Sequence, residues 1–152
     1  DIKEFIAEIK KLGYAVKLDT NGTFPEKLKD LVNSGLVDYV AMDIKNSKAK
    51  YAVTTGINNL DLSKIEESVD FLKNGNIDFE FRTTIVNEFH TVDDIQDIVV
   101  WIKGAHKYFL QNFVDSGDLI GTALSPVTLD TLRIMREKAT ETIPNVELRG
   151  IS

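Results

Sequence analysis

The sequence has no cysteine among its 152 residues. That excludes a disulfide framework, a thiol nucleophile and any metal or iron–sulfur cluster held by thiolates of this chain. Nor is there an excess of positive charge: 18 Lys and Arg stand against 24 Asp and Glu, a net charge of −6. A sequence-blind nucleic-acid binder needs a basic patch that releases counterions, so that class is set aside. No apolar run is long enough to cross a bilayer or to act as a secretory signal, and the expectation is a cytoplasmic protein with no membrane partner. Repeats, low-complexity runs and Gly/Ser/Pro linkers are missing too, so no internal boundary is placed and 1–152 reads as one domain. A chain of this length buries roughly 70% of its unfolded surface and needs no staple.

What is present begins abruptly. Residues 1–12 read as the back half of an amphipathic helix, with Ile2, Phe5, Ile6, Ile9 and Leu12 on one face and Gly13 as its stop. No methionine and no strand come before it, so the expectation is the C-terminal portion of a longer protein. Strands are expected over 14–18, 37–44, 77–86 and 107–113, with a short extra one over 146–148. Between them lie helical patterns: one opened by a Thr23/Glu26 capping box with Pro25 in its first turn, a short one near Ala49, and one over 63–73 opened by Ser63 and Glu66. Two more cover 93–103 and 128–143. Strict alternation of helix and strand means parallel strands joined by right-handed crossovers, so the fold class is α/β.

Strands buried on both faces read as continuous Val, Ile and Leu, and these do not. Separating alternate residues leaves Lys17, Asp19, Asp43, Lys45, Glu80 and Arg82 on one set of faces and apolar residues on the other. Helices on the apolar side only would give an open, partial βα barrel with four main parallel strands and helices outside. Most of the charge falls at C-terminal strand ends, where such barrels keep their chemistry. The plainer reading is that three acids and three bases satisfy one another as structural ion pairs.

Three segments carry a resemblance: Lys17-Leu18-Asp19-Thr20-Asn21-Gly22, then Asp38-Tyr39-Val40-Ala41-Met42-Asp43-Ile44-Lys45, then Phe81-Arg82-Thr83-Thr84-Ile85-Val86. In this order and spacing the chain resembles the radical S-adenosylmethionine activating enzymes, those that serve anaerobic ribonucleotide reductase and pyruvate formate-lyase. The resemblance implies a partial barrel holding S-adenosylmethionine and a [4Fe–4S] cluster, and a glycyl radical enzyme as partner. It places Asp19 and Thr20 near the cofactor's amino-acid moiety, counts Asn21 among the cofactor-binding residues, and puts Asp43 and Lys45 in contact with S-adenosylmethionine, the lysine on its carboxylate. Arg82 matches the family's arginine on the following strand, and Asn112, in Leu110-Gln111-Asn112-Phe113, falls where a strand end meets the adenosine. The family's three-cysteine loop and Gly-Gly-Glu segment have no counterpart here, so the cluster belongs to the parent protein and this chain alone is expected to be inactive.

Other features read as structure. His90 and His106 are the only two histidines, too few for a metal site. Trp101 and the phenylalanines read as core, and the acids at 115–118 as a solvated turn. The alternative function is a non-catalytic α/β domain that binds a small anion near Lys45 and Arg82. A missing strand before 14–18 would bare a sheet edge, so the expectation is self-association there or an N-terminal helix that shifts to cover the gap.

Overall fold

A computed structural model describes residues 1–114 and 123–150. Within them, five strands alternate with helices: α1 (Ile2–Lys11), β1 (Lys17–Thr20), α2 (Pro25–Asn33), β2 (Tyr39–Asp43), a 3₁₀ turn (Lys48–Lys50), α3 (Tyr51–Thr55), α4 (Leu62–Asn74), β3 (Asp78–Ile85), α5 (Val92–Trp101), β4 (Lys107–Asn112), α6 (Leu129–Thr140) and β5 (Asn145–Arg149). The strands are hydrogen-bonded in the order β1-β2-β3-β4-β5, and the pairs β1·β2, β3·β4 and β4·β5 are parallel. A strictly sequential parallel order is that of a βα barrel; a doubly wound sheet would reverse its order at a switch point. The fold class expected from the sequence is therefore observed. The acidic turn at 115–118 lies outside the described residues.

The chain divides into two compact units, residues 1–43 with 61–80, and residues 44–60 with 81–152. In the first, α4 presents Ile65, Val69 and Leu72 at helical spacing, each no more than 1% exposed, and packs with α2, whose Leu28 and Leu31 are also buried. In the second, Ile95, Ile98 and Val99 of α5 are fully buried, as are Leu132 and Met135 of α6, and the two helices pack together.

Three local expectations are corrected. The first strand starts at Lys17 rather than at residue 14. The stretch before it is pinned by a side chain instead of a ladder: Val16 N–H donates to Asp38 Oδ2 at 2.7 Å, and Val16 O accepts from Asp38 N–H at 2.9 Å. Asp19 and Thr20 thereby become strand residues. Helix α2 is capped by Phe24 with no side-chain bond; Thr23 lies one residue before that cap, its hydroxyl donating to Asn21 Oδ1 at 2.7 Å. Helix α4 takes Asp61 as its cap, the carboxylate accepting from Ser63 N–H at 3.2 Å. Two competing acceptors lay close together there, and the ionised one won.

The last strand, expected as a short piece over 146–148, pairs with β4 along all of Asn145–Arg149. In the middle of β2, Val40, Ala41 and Met42 are all 0% exposed. Both faces are covered there, so within β2 the expected charged face is confined to Asp43 at the strand's end. At the other end of the sheet order, the edge strand β1 is four residues long with Lys17 and Asp19 exposed. A short, charged edge is poorly suited to pairing.

Candidate functional site

The strand ends of the first unit carry Asp19, Thr20, Asn21 and Asp43. In β1, Asp19 is exposed and Thr20 half-buried. The register pairs Asp19 with Ala41 and Thr20 with Met42, which leaves Asp43 one step beyond the last pair. After β1 the chain turns by its own side chains: Thr20 Oγ1 accepts from Gly22 N–H at 3.1 Å, and Asn21 Oδ1 accepts from Thr23 N–H at 3.0 Å. Gly22 sits at φ +75°, and a Cβ there would run into the Met42 side chain and crowd Ser68. Its carbonyl accepts from the buried Ser68 hydroxyl at 2.8 Å. Thr20 and Asn21 thus fix the loop that follows Asp19.

Lys17 and Glu80 are explained without a ligand. Glu80 is buried, and its carboxylate lies 3.5 Å from the half-exposed Lys17 ammonium, which also stands over the Tyr39 ring. This pair follows the plainer reading of the charged faces.

The second unit carries Lys45, Arg82 and Asn112. Lys45 is exposed and lies two residues past β2, but its main chain is held at both polar atoms. Its N–H donates to Tyr51 Oη at 3.1 Å, and its carbonyl meets His90 Nε2 at 2.8 Å. The next residue, Asn46, is 0% exposed and donates to Thr54 Oγ1 and to Phe89 O, both at 2.9 Å. Its Oδ1 accepts from Ser47 N–H at 2.7 Å. Buried polar groups are tolerated only when satisfied, and this segment is.

Half-buried Arg82 is registered against Phe109, and its carbonyl accepts from Ile44 N–H at 2.7 Å. Asn112 closes β4. Its amide is committed to the backbone of Val127 at both ends, accepting at 3.1 Å and donating at 3.0 Å. In this state Asn112 fastens the segment before α6.

His90 is 4% exposed, with both ring nitrogens engaged by backbone; Nδ1 accepts from Val86 N–H at 3.0 Å. Burial is the largest influence on it and lowers its pKa below the usual 6.5. Asp94, also buried, accepts from Lys50 Nζ at 2.7 Å and from Thr91 N–H and Oγ1. Burial pushes its carboxyl up, and the Lys50 and Thr91 bonds more than offset that, leaving it lowered. Sequence reasoning passed over Asn46, Tyr51 and Asp94, which no motif marks. Thr91 was legible in principle as the cap of α5, since Thr91 and Asp94 exchange bonds as a capping box. The usual pattern asks for Glu or Gln at the third position, and Asp escapes it. Among the described residues no group of three or more His, Cys, Asp or Glu gathers as a metal site, and no helix is long and apolar enough to cross a membrane.

No protein-family model matches the chain. Its fold is that of a domain of pyruvate-formate lyase-activating enzyme from Bacteroides vulgatus, with a TM-score of 0.71 over 97% of this chain and 88% of that one. At 11% identity that likeness speaks for the fold alone. In sequence, the chain is 34% identical to a candidate glycyl-radical enzyme activating enzyme of Methanocaldococcus jannaschii, matched over 99% of this chain and 66% of the relative's length. That relative extends beyond the matched part by about a third. On the strength of this relative, the chain belongs to the family of glycyl-radical enzyme activating enzymes.

Proposed function

We propose that the chain is the S-adenosylmethionine-handling portion of an activating protein whose partner is a glycyl radical enzyme, of the anaerobic ribonucleotide reductase or pyruvate formate-lyase type. The observation that carries this reading is the 34% identity to the Methanocaldococcus jannaschii relative over 99% of the chain, which takes in the segments ending β1 and β2 and running through β3.

The donor chemistry suits S-adenosylmethionine. An ammonium such as that of the exposed Lys45 and a guanidinium such as that of Arg82 are the chemical types that pair with its carboxylate. The carboxylates of Asp19 and Asp43 suit its ammonium and its cationic sulfonium. Thr20, Asn21 and Asn112 contribute through the loops they fasten. When bound, S-adenosylmethionine supplies on reductive cleavage the hydrogen-abstracting species that makes a glycyl radical. The chain's own residues bind the amino-acid end, hold its orientation and set the charge around it.

The [4Fe–4S] cluster does not fit these residues. With 0 cysteines, the sequence offers no thiolate to iron. In the proposed parent protein those ligands come from outside the 152 residues, and no step through a cluster is assigned to this chain.

Titration calorimetry of the chain with S-adenosylmethionine, and separately with phosphate, tests the reading. Saturable binding of S-adenosylmethionine that phosphate does not reproduce is expected. Equal binding of phosphate would favour a small-anion domain instead, and no binding of either would leave the strand-end charges as paired structure.

A further inference from the structure

Lys45 is an exposed side chain on an immobilised backbone, and His90 is what immobilises the carbonyl end. The imidazole spans 2.8 Å to Lys45 O on one side and 3.0 Å to Val86 N–H on the other. Val86 directly follows β3, so the ring ties the end of that strand to the segment after β2. Because the Val86 amide must donate, Nδ1 accepts and carries no proton, and the ring's one proton sits on Nε2 and points at the Lys45 carbonyl. A second proton on Nδ1 would face the Val86 N–H, leaving a buried donor unsatisfied. The Val86 carbonyl, 3.3 Å from Nδ1, already accepts from Phe89 N–H and His90 N–H, so it offers a poor alternative.

The charged groups that bear on the ring are Asp94 of α5, which favours the cation, and Lys50 of the 3₁₀ turn, which opposes it. These two are paired with each other at 2.7 Å, and burial outweighs both. His106, the other histidine, is exposed.

We infer that His90 is a positioning residue for cofactor binding: in its neutral form it braces the Lys45 carbonyl against the Val86 amide, and so fixes the main chain from which Lys45 presents its ammonium to a cofactor carboxylate. The inference rests on the reading of Lys45 given under the proposed function. Neither ring nitrogen is left for a metal or a proton-transfer partner, so His90 acts through Lys45 and touches no reacting atom. A rigid support for a long, rotamer-rich side chain reduces the entropy lost when that side chain engages its ligand.

Affinity for S-adenosylmethionine measured by calorimetry between about pH 5 and 7.5, the range in which imidazoles titrate, tests this in the wild type, His90→Gln and His90→Phe. The Gln amide offers one donor and one acceptor but does not titrate in this range. Wild-type affinity should fall as the pH drops below the usual histidine range. His90→Gln should bind within about threefold of wild type at the upper end and lose that pH dependence, while His90→Phe should bind about tenfold more weakly, as expected for a lost bond of this kind. A merely structural histidine would change melting without changing the pH profile of binding.

If His90→Gln keeps the wild-type profile, or the wild-type affinity does not vary with pH, His90 is not the brace, and the cofactor reading still stands. If the wild type binds no S-adenosylmethionine, the proposed function falls first and this inference with it. Should His90→Phe fail to fold, the comparison of wild type with His90→Gln decides.

Discussion

At the scale of single residues, buried polar pairs separate from exposed charges by what their loss should do. The Tyr108 hydroxyl, wholly buried, donates to the buried Thr83 Oγ1 at 2.5 Å. Thr83→Ala strands that hydroxyl without its partner and should lower unfolding free energy by about 1–3 kcal/mol in urea melts. Lys45→Ala should shift it by less than about 0.5 kcal/mol, because the side chain is exposed and the segment is held through its main chain. A loss of several kcal/mol for Lys45→Ala would mean that the ammonium is part of a buried pair and is not offered to a ligand.

Protonation of His90 has a definite sign as well. Its folded pKa lies below the usual 6.5 because burial disfavours the cation. As the pH falls past about 6.5, the unfolded chain takes up the proton before the folded one, and stability declines until the pH passes the folded value. The contribution is fully present above that range. His90→Gln should flatten this limb of a stability-against-pH curve, leaving only the carboxylates. Those act lower: Asp94, held below the ordinary carboxylate value of 3.8, loses its contribution as the pH falls through its lowered value.

At the scale of elements, capping explains both what the sequence revealed and what it concealed. Thr128 was placed at the start of the last helix, and it caps α6 by accepting from Thr131 N–H at 3.2 Å. Thr23 and Ser63 also matched a capping pattern, but Thr23 lies one residue before the cap of α2, and Ser63 falls inside the first turn of α4, where Asp61 is the cap. Pattern alone cannot rank neighbouring acceptors. Thr91→Ala should therefore cost about 1 kcal/mol, whereas Thr23→Ala should leave α2 intact, as read by unfolding midpoints of the two variants. Gly22→Ala should be worse than either cap loss. It would combine a left-handed backbone at φ +75° with a Cβ forced onto Met42, and melting should show a loss of about 1–3 kcal/mol.

Strands followed the same logic. Alternation revealed the α/β class, since strand and helix periods are properties of the local sequence. The bounds of β1 were not legible, because they depend on Asp38, some twenty residues away, capturing Val16 N–H. The double burial of Val40, Ala41 and Met42 was also hidden, as it depends on what packs on each face.

For the whole molecule, the candidate site was readable only in part. Asp19, Asp43, Lys45 and Arg82 stand out because charge in or just beyond a strand is costly without a purpose or a partner. The support behind Lys45 was not readable, since the His90 ring that meets its carbonyl and the Phe89 carbonyl that holds Asn46 come from a stretch more than forty residues away. A net charge of −6 gives the molecule no general attraction for an anionic ligand, so recognition of a carboxylate has to come from placed cations such as Lys45 and Arg82.

The most direct test of the central claim is a titration of the isotopically labelled chain with S-adenosylmethionine, followed by amide chemical shifts. The account predicts saturable shifts at Asp19, Thr20, Asp43, Lys45 and Arg82, and their loss at Lys45 and its neighbours in Lys45→Ala. Shifts confined to other parts of the chain, or none at any concentration, would contradict it.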